Sequence, residues 1–178
     1  INSYLGDYDN AEQFMRRAIY TAESISDKKA MGTANGKLGI VLYEQGLLTE
    51  SIDYLKRGIE LSLESENYFT AFELLFRLSL IYSQMKRIEE TDHALEKMKD
   101  IPEQFIEGDS LYCMPLIEAY ILYMNGETEG AYTAAQSVID SFKDTEGAAI
   151  ANMLQYEIKG CENNRSEALD IYKKIYEK

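Results

Sequence analysis

The chain has 178 residues, of which 46% are hydrophobic and 28% charged, and its 31 acidic and 18 basic side chains give a formal net charge of −13 at pH 7. This balance is typical of a soluble globular protein and argues against intrinsic disorder, while the negative charge argues against binding of nucleic acid or of anionic lipid. The charge permits basic or amphipathic protein partners, although it also serves simple solubility.

Apolar residues recur every three or four positions along the whole chain, which predicts helices throughout and no strand. The short polar breaks carry glycine or asparagine, as expected at helix ends. In chain order, the predicted helices span residues 9–25, 28–45, 49–65, 68–85, 88–100, 110–125, 128–142, 146–161 and 165–177. Two of them contain unfavourable residues. Gly32, Gly36 and Gly39 cost the second helix about 2–3 kcal/mol of propensity relative to alanine. Pro115 predicts that the sixth helix starts later than residue 110 or bends.

The same residue types return every 40 positions along the chain. Residues that favour turns fall at Gly6, Gly46, Lys86 and Gly126, and small residues follow five positions later at Ala11, Ser51, Thr91 and Ala131. Self-similarity at a fixed period predicts a stacked-repeat architecture. We therefore predict one repeat domain over residues 1–178, with a half repeat at 1–25 and repeats at 26–65, 66–105, 106–145 and 146–178.

Neither end of this chain carries the polar cap that a solenoid needs. The first residues, Ile1–Leu5, align with the end of the first helix of a repeat, and no extra polar helix follows the last pair. We expect a fragment of a longer protein, or a chain whose ends are covered by another molecule. The uncapped terminal repeats also allow self-association into a homo-oligomer.

Each repeat carries a specific internal spacing. One repeat has Leu38-Gly39-x-x-Leu42 followed by Gly46, Ser51, Leu55 and Gly58, and the next has Leu78-Ser79-x-x-Tyr82 followed by Thr91, Leu95 and Met98. These motifs resemble tetratricopeptide repeats, although the usual period of that family is about 34 residues and therefore shorter than the step seen here. The first-helix tryptophan of the family is also absent. The longer repeat is similar to those of bacterial regulatory and signalling proteins.

The resemblance implies an all-α fold, a right-handed superhelix of about four and a half helix pairs whose first helices line a concave groove. It also implies protein or peptide binding as the activity. In the family register the groove residues are Lys37, Ile40, Tyr43, Phe76, Arg77, Leu80, Gln84, Leu116, Tyr120 and Tyr123. Phe76, Leu80 and Tyr120 are equally compatible with a place in the core between long helices.

Catalytic and metal-binding patterns are lacking in the sequence. His93 is the single histidine, which excludes a Ser-His-Asp triad and a two-histidine zinc site within the chain. The stretch from Gly32 to Lys37 is one residue too short for a phosphate loop and is followed by Leu38. Two cysteines, Cys113 and Cys161, do not form a disulfide framework. We therefore predict no enzyme, no catalytic residue, no metal and no cofactor.

Two functions remain open at this stage. The first is a non-enzymatic scaffold that binds a protein or peptide and belongs to a larger regulatory or signalling protein. The alternative is a peptide-sensing domain, in which a ligand changes the curvature of the superhelix and so controls an attached DNA-binding or catalytic domain. The sequence shows no membrane-spanning stretch and no secretory signal, so we expect a cytoplasmic location.

Overall fold

A computed structural model describes residues 8–106 and 108–176 of the chain, and all regular structure in these ranges is helical. The α-helices are α1 (Tyr8–Ser24), α2 (Lys28–Glu44), α3 (Leu48–Glu64), α4 (Tyr68–Gln84), α5 (Ile88–Lys99), α6 (Cys113–Met124), α7 (Thr128–Ser141), α8 (Glu146–Lys159) and α9 (Glu162–Tyr176). Short 3-10 helices cover Glu103–Phe105 and Gly108–Tyr112. The all-α prediction is confirmed, and each predicted helix lies within three residues of an observed one at both ends.

The helices are stacked in two layers. Each helix packs against the next along the chain, and short connections make most of these neighbours antiparallel. In addition α2 packs on α4, α4 on α6, and α6 on α8, so the even-numbered helices form one continuous layer. Helix α4 lies at the centre of the core, where Phe72 and Leu75 are each 1% exposed. The predicted solenoid of paired helices is thereby confirmed.

Five of the turns between helices have the same geometry. A residue with positive φ occupies each of them, at Ser26, Gly46, Glu66, Lys86 and Gly126. At residue 46, for example, the glycine N–H donates to the Tyr43 carbonyl and the Leu47 N–H donates to the Leu42 carbonyl, both at 2.9 Å. This is the Schellman arrangement of a helix C-terminus. The first four turns follow one another at half the repeat period, so the first repeats each contain two equivalent turns. Gly6, the other predicted turn residue, lies outside the described residues.

The glycines of α2 allow the backbones of α2 and α3 to touch. A Cβ on Gly58 would lie 2.7 Å from the Gly36 nitrogen and 2.9 Å from its Cα, and one on Gly32 would lie 3.0 Å from the Ser62 nitrogen. The buried Ser51 hydroxyl donates to the Gly39 carbonyl at 2.7 Å. These close contacts explain why α2 keeps residues that are unfavourable in an isolated helix.

The sixth helix begins at Cys113, later than the predicted residue 110, so that start was wrong and the expectation from Pro115 is confirmed. Pro115 lies in the first helical turn, where its missing N–H leaves no intrahelical bond unmade.

After Gly126 the spacing between turns becomes shorter than in the first repeats, since the next residues with positive φ are Asp144 and Gly160. In the described part of the chain, none of the helices has the length and apolar character needed to cross a membrane.

Candidate functional site

The even-numbered helices present the inner face of the stack, and this face contains two adjoining cavities of about 410 Å³ and about 470 Å³. Ile40 on α2 and Glu157 on α8 line the same cavity, although α4 and α6 lie between these helices. The inner face is therefore strongly curved. Such a concave surface is the usual form of a ligand site.

An ion pair separates the two cavities. The Arg77 guanidinium on α4 donates from Nη1 and Nη2 to the two carboxylate oxygens of Glu146, each at 2.8 Å. Glu146 is the first residue of α8, where the helix dipole also favours a carboxylate. Both side chains line both cavities, together with Ile40. The pair joins α4 to α8 across α6 and divides the groove in two.

The smaller cavity, which we call the tyrosine cavity, is lined by Tyr43, Tyr120 and Tyr172 among aliphatic side chains. The Tyr43 hydroxyl donates to Oε1 of Gln84 at 2.5 Å and so links the ends of α2 and α4. Two carboxylates, Glu44 and Glu157, also line this cavity. Its wall thus combines aromatic and apolar surface with negative charge.

Tyr120 and Glu157 are the electrostatically unusual groups of the tyrosine cavity. Tyr120 is 7% exposed, and its hydroxyl makes no hydrogen bond with any residue that the structure describes. Burial, aided by the nearby Glu157 charge, raises the pKa of Tyr120. The Glu157 side chain is exposed as a whole, but the surrounding protein removes part of its hydration. This partial loss of hydration raises the pKa of Glu157, and the positive charge of Lys86 opposes that rise.

The larger cavity, which we call the cysteine cavity, is lined by Cys113, Tyr112, Phe76, Lys37 and Glu73 among others. Burial raises the pKa of the Cys113 thiol, which is therefore protonated and inert as a nucleophile at neutral pH. Partial burial also raises the pKa of Glu73, against the opposing charges of Arg77 and Lys37. Phe76 is 3% exposed because its ring packs edge-on against Tyr112, with ring centroids 5.7 Å apart.

Most of the predicted groove residues line these cavities. Ile40, Tyr43, Arg77, Leu80, Gln84 and Tyr120 line the tyrosine cavity, and Lys37 and Phe76 line the cysteine cavity. The structure corrects the placement of Leu116 in the groove. This side chain is completely buried in the core and lines neither cavity, since α6 is covered in the inner layer by α4 and α8. Tyr123 is half-buried and lines neither cavity.

The sequence analysis missed the contribution of α8 and α9. Ile150, Met153 and Glu157 line the tyrosine cavity, as does Tyr172. The α8 positions follow Cys113, Leu116 and Tyr120 by 37 positions, whereas the groove positions of the earlier repeats are 40 apart. A shortened last step was visible in the sequence, since the turn-like Asn163 follows Gly126 after 37 positions. Applying this 37-residue step to the inner-face positions of α6 identifies Ile150, Met153 and Glu157.

No group of three or more histidine, cysteine, aspartate or glutamate side chains in residues 8–106 and 108–176 has the arrangement of a metal site. Cys161 is exposed and Cys113 is buried, and the two are not joined in a disulfide. The groove presents aromatic, aliphatic and charged groups for non-covalent contact.

Comparison with known proteins supports the resemblance to tetratricopeptide repeats. The family model for a tetratricopeptide repeat matches residues 1–24. No curated protein sequence matches the chain. Among solved structures, the chain is similar to a protein of Podosopora anserina described as a putative kinesin light chain with nearly identical TPR-like repeats. That match has 11% identity and a TM-score of 0.63, over 98% of this chain and 91% of the other.

A variant of the same Podosopora anserina protein with a single substitution gives a TM-score of 0.64 at 11% identity, over 98% of this chain and 87% of that chain. At this identity the likeness establishes the fold, which is that of TPR-like repeats. Repeats of this kind generally mediate protein–protein interactions, and proteins built from them are typically non-catalytic.

Proposed function

We propose that this chain is a non-enzymatic scaffold that binds a protein or peptide through its concave groove, as part of a larger regulatory or signalling protein. The observation that carries the proposal is the pair of cavities on the inner face. They are bordered by four successive inner helices, and their walls combine apolar and aromatic side chains with a few charged ones. Side chains of a bound peptide anchor in cavities of this kind, and aromatic groups contribute much of the binding free energy.

Selection from a display library of random peptides tests the proposal. We expect the chain to enrich peptides with apolar anchor residues. A Leu80→Trp variant should lose these peptides, because Leu80 lines the tyrosine cavity and the larger ring occupies part of it. The matched control is Leu63→Trp, at an exposed position on the outer helix α3. Circular dichroism checks that both variants remain helical.

Three outcomes would contradict the proposal that peptides bind in the groove. Enriched peptides that bind the Leu80→Trp variant as tightly as the wild type would move the binding surface elsewhere. A library that yields no enriched peptide would remove the support for peptide binding altogether. Loss of binding in the Leu63→Trp control would place the interaction on the outer layer.

The second candidate function is a peptide sensor whose curvature responds to its ligand. The Arg77–Glu146 ion pair favours it, because it connects α4 to α8 across the groove and lines both cavities. A ligand that competes for either side chain would break this connection and open the superhelix. Small-angle scattering with a selected peptide distinguishes the candidates, since a sensor should change its radius of gyration and a rigid scaffold should not.

A further inference from the structure

The charges in the tyrosine cavity do not balance. Its lining includes Glu157 and the ion pair of Glu146 with Arg77, and Arg77 is the one basic side chain among the described residues that line it. Arg77 and Glu146 are bonded to each other through two contacts, so their charges largely offset. Glu157 makes no hydrogen bond or ion pair of its own with residues 8–106 or 108–176, and the charge of Lys86, which does not line the cavity, offsets its negative charge only in part. The cavity therefore has a negative potential that a cation would neutralise.

Tyr120 provides a second and independent indication of a ligand. Its side chain is more than nine-tenths buried and lines this cavity, and its hydroxyl has no hydrogen-bond partner in the described chain. The oxygen itself is not among the fully enclosed polar atoms of the described residues, so it is open to the cavity, where a ligand or an ordered water can reach it. The Tyr120 oxygen can accept a hydrogen bond from an N–H donor while its O–H remains available to a carboxylate.

The aromatic lining fits the same kind of ligand. The faces of tyrosine rings attract cations, and cages of aromatic side chains are a common way of binding ammonium groups. Tyr43, Tyr120 and Tyr172 come from three different helices and line a volume of about 410 Å³. Leu80 and Met153 supply apolar surface for the methylene groups that precede a charged head group.

We infer that the tyrosine cavity binds the lysine or arginine side chain of a peptide partner, with the cationic group between Tyr120 and Glu157. This inference rests on the proposed function, and it specifies which peptides the groove selects. The aliphatic stem of the basic side chain packs against Leu80 and Met153. The charged nitrogen donates to the Tyr120 hydroxyl and to the Glu157 carboxylate.

The display selection described above supplies the probe. We expect lysine or arginine to be enriched at one position of the selected peptides. The best peptide is then synthesised with a fluorescent label, and its dissociation constant is measured by anisotropy with the whole chain. Glu157→Gln should weaken binding about tenfold and Tyr120→Phe about threefold, since one removes a charge and the other a single acceptor. Glu60→Gln, an equal change of charge at an exposed position on α3, should leave binding unchanged.

A change in the peptide identifies the interacting pair. Replacement of the basic residue by norleucine should weaken binding to the wild type, and Glu157→Gln should then add little further loss. Equal losses from Glu157→Gln with the basic and the norleucine peptide would overturn the inference. Both protein variants, at Glu157 and at Tyr120, keep a side chain of nearly unchanged shape, and thermal unfolding confirms that they fold.

The outcomes separate this inference from the proposed function. Peptides that are enriched without any basic residue would overturn the inference and leave the groove as a peptide-binding surface. Enrichment of acidic peptides would also overturn the inference while leaving the groove as a peptide-binding surface. It would indicate Lys37 in the cysteine cavity as the residue that selects them. A failure to enrich any peptide would contradict both proposals.

Discussion

The ion pair between Arg77 and Glu146 should stabilise the fold measurably, and a double-mutant cycle tests this. The variants are Arg77→Met, Glu146→Gln and the combination of both. The pair has two N–H···O contacts of 2.8 Å, and the side chains are 37% and 22% exposed. Exposed pairs contribute about 0.2–1 kcal/mol, whereas hydrogen bonds to charged groups contribute about 1.5–3 kcal/mol. Intermediate exposure therefore predicts a coupling free energy of about 1–2 kcal/mol.

The cycle isolates the pair from the other interactions of Glu146. Its carboxylate is also stabilised by the N-terminus of α8, by about 0.3–1 kcal/mol, and this contribution cancels in the coupling term. Urea unfolding gives the free energy of unfolding for the wild type and the three variants. Salt at about 1 M shortens the screening length to about 3 Å and should reduce the coupling only in part, because the pair is partly buried.

The matched control is the ion pair between Arg57 and Glu23, which joins α3 to α1. Its distance is 3.6 Å and its side chains are 58% and 45% exposed. Its coupling should be about 0–0.5 kcal/mol. If the Arg77–Glu146 coupling does not exceed that of the control, the ion pair does not fasten α4 to α8, and a curvature-controlled sensor loses its structural support.

Two further perturbations test the packing and the electrostatics. Gly58→Ala should lower the free energy of unfolding by about 2–4 kcal/mol, because its Cβ would lie 2.7 Å from the Gly36 nitrogen. Gly130→Ala, whose Cβ would have 3.8 Å to its nearest neighbour, should instead raise it by about 0.5–1 kcal/mol. If urea unfolding shows the same change in the free energy of unfolding for Gly58→Ala and Gly130→Ala, the close contact of α2 and α3 is contradicted. Glu157→Gln should raise the melting temperature at pH 7, and the gain over the wild type should shrink as the pH falls towards about 4. The raised pKa means that the folded carboxyl binds its proton more tightly than the unfolded one, so ionised Glu157 costs stability. If the gain in melting temperature instead grows as the pH falls, folding lowers the pKa of Glu157 and this reasoning is wrong.

The helices could be predicted from the sequence because apolar periodicity and turn residues agree. The earlier breaks between predicted helices coincide with real helix ends, and Pro115 correctly indicated the late start of α6, whereas the last predicted break, at residues 162–164, lies inside α9. The sequence did not reveal that an equivalent turn also falls halfway through the first repeats. Ser26 and Glu66 have positive φ without being glycine, so the residue type does not indicate these two turns.

The groove could be predicted only in part. Periodicity identifies the helix face that points inwards, but it does not tell which positions remain accessible once the layer curves. Leu116 and Leu80 are both leucines of the inner layer, and yet one is completely buried and the other lines a cavity. The pairing of Arg77 with Glu146 joins residues 69 positions apart and depends on this curvature, so no local pattern indicates it.

The equivalent turns have a consequence for the order in which the molecule assembles. Each is closed by hydrogen bonds between residues three to five positions apart, and the helices that it joins meet without distant partners. Hairpins of this kind can therefore form early and independently, at small cost in chain entropy. The link between α4 and α8 is different, because it needs the intervening pairs to be stacked first. We therefore expect the concave groove to form after the helix hairpins.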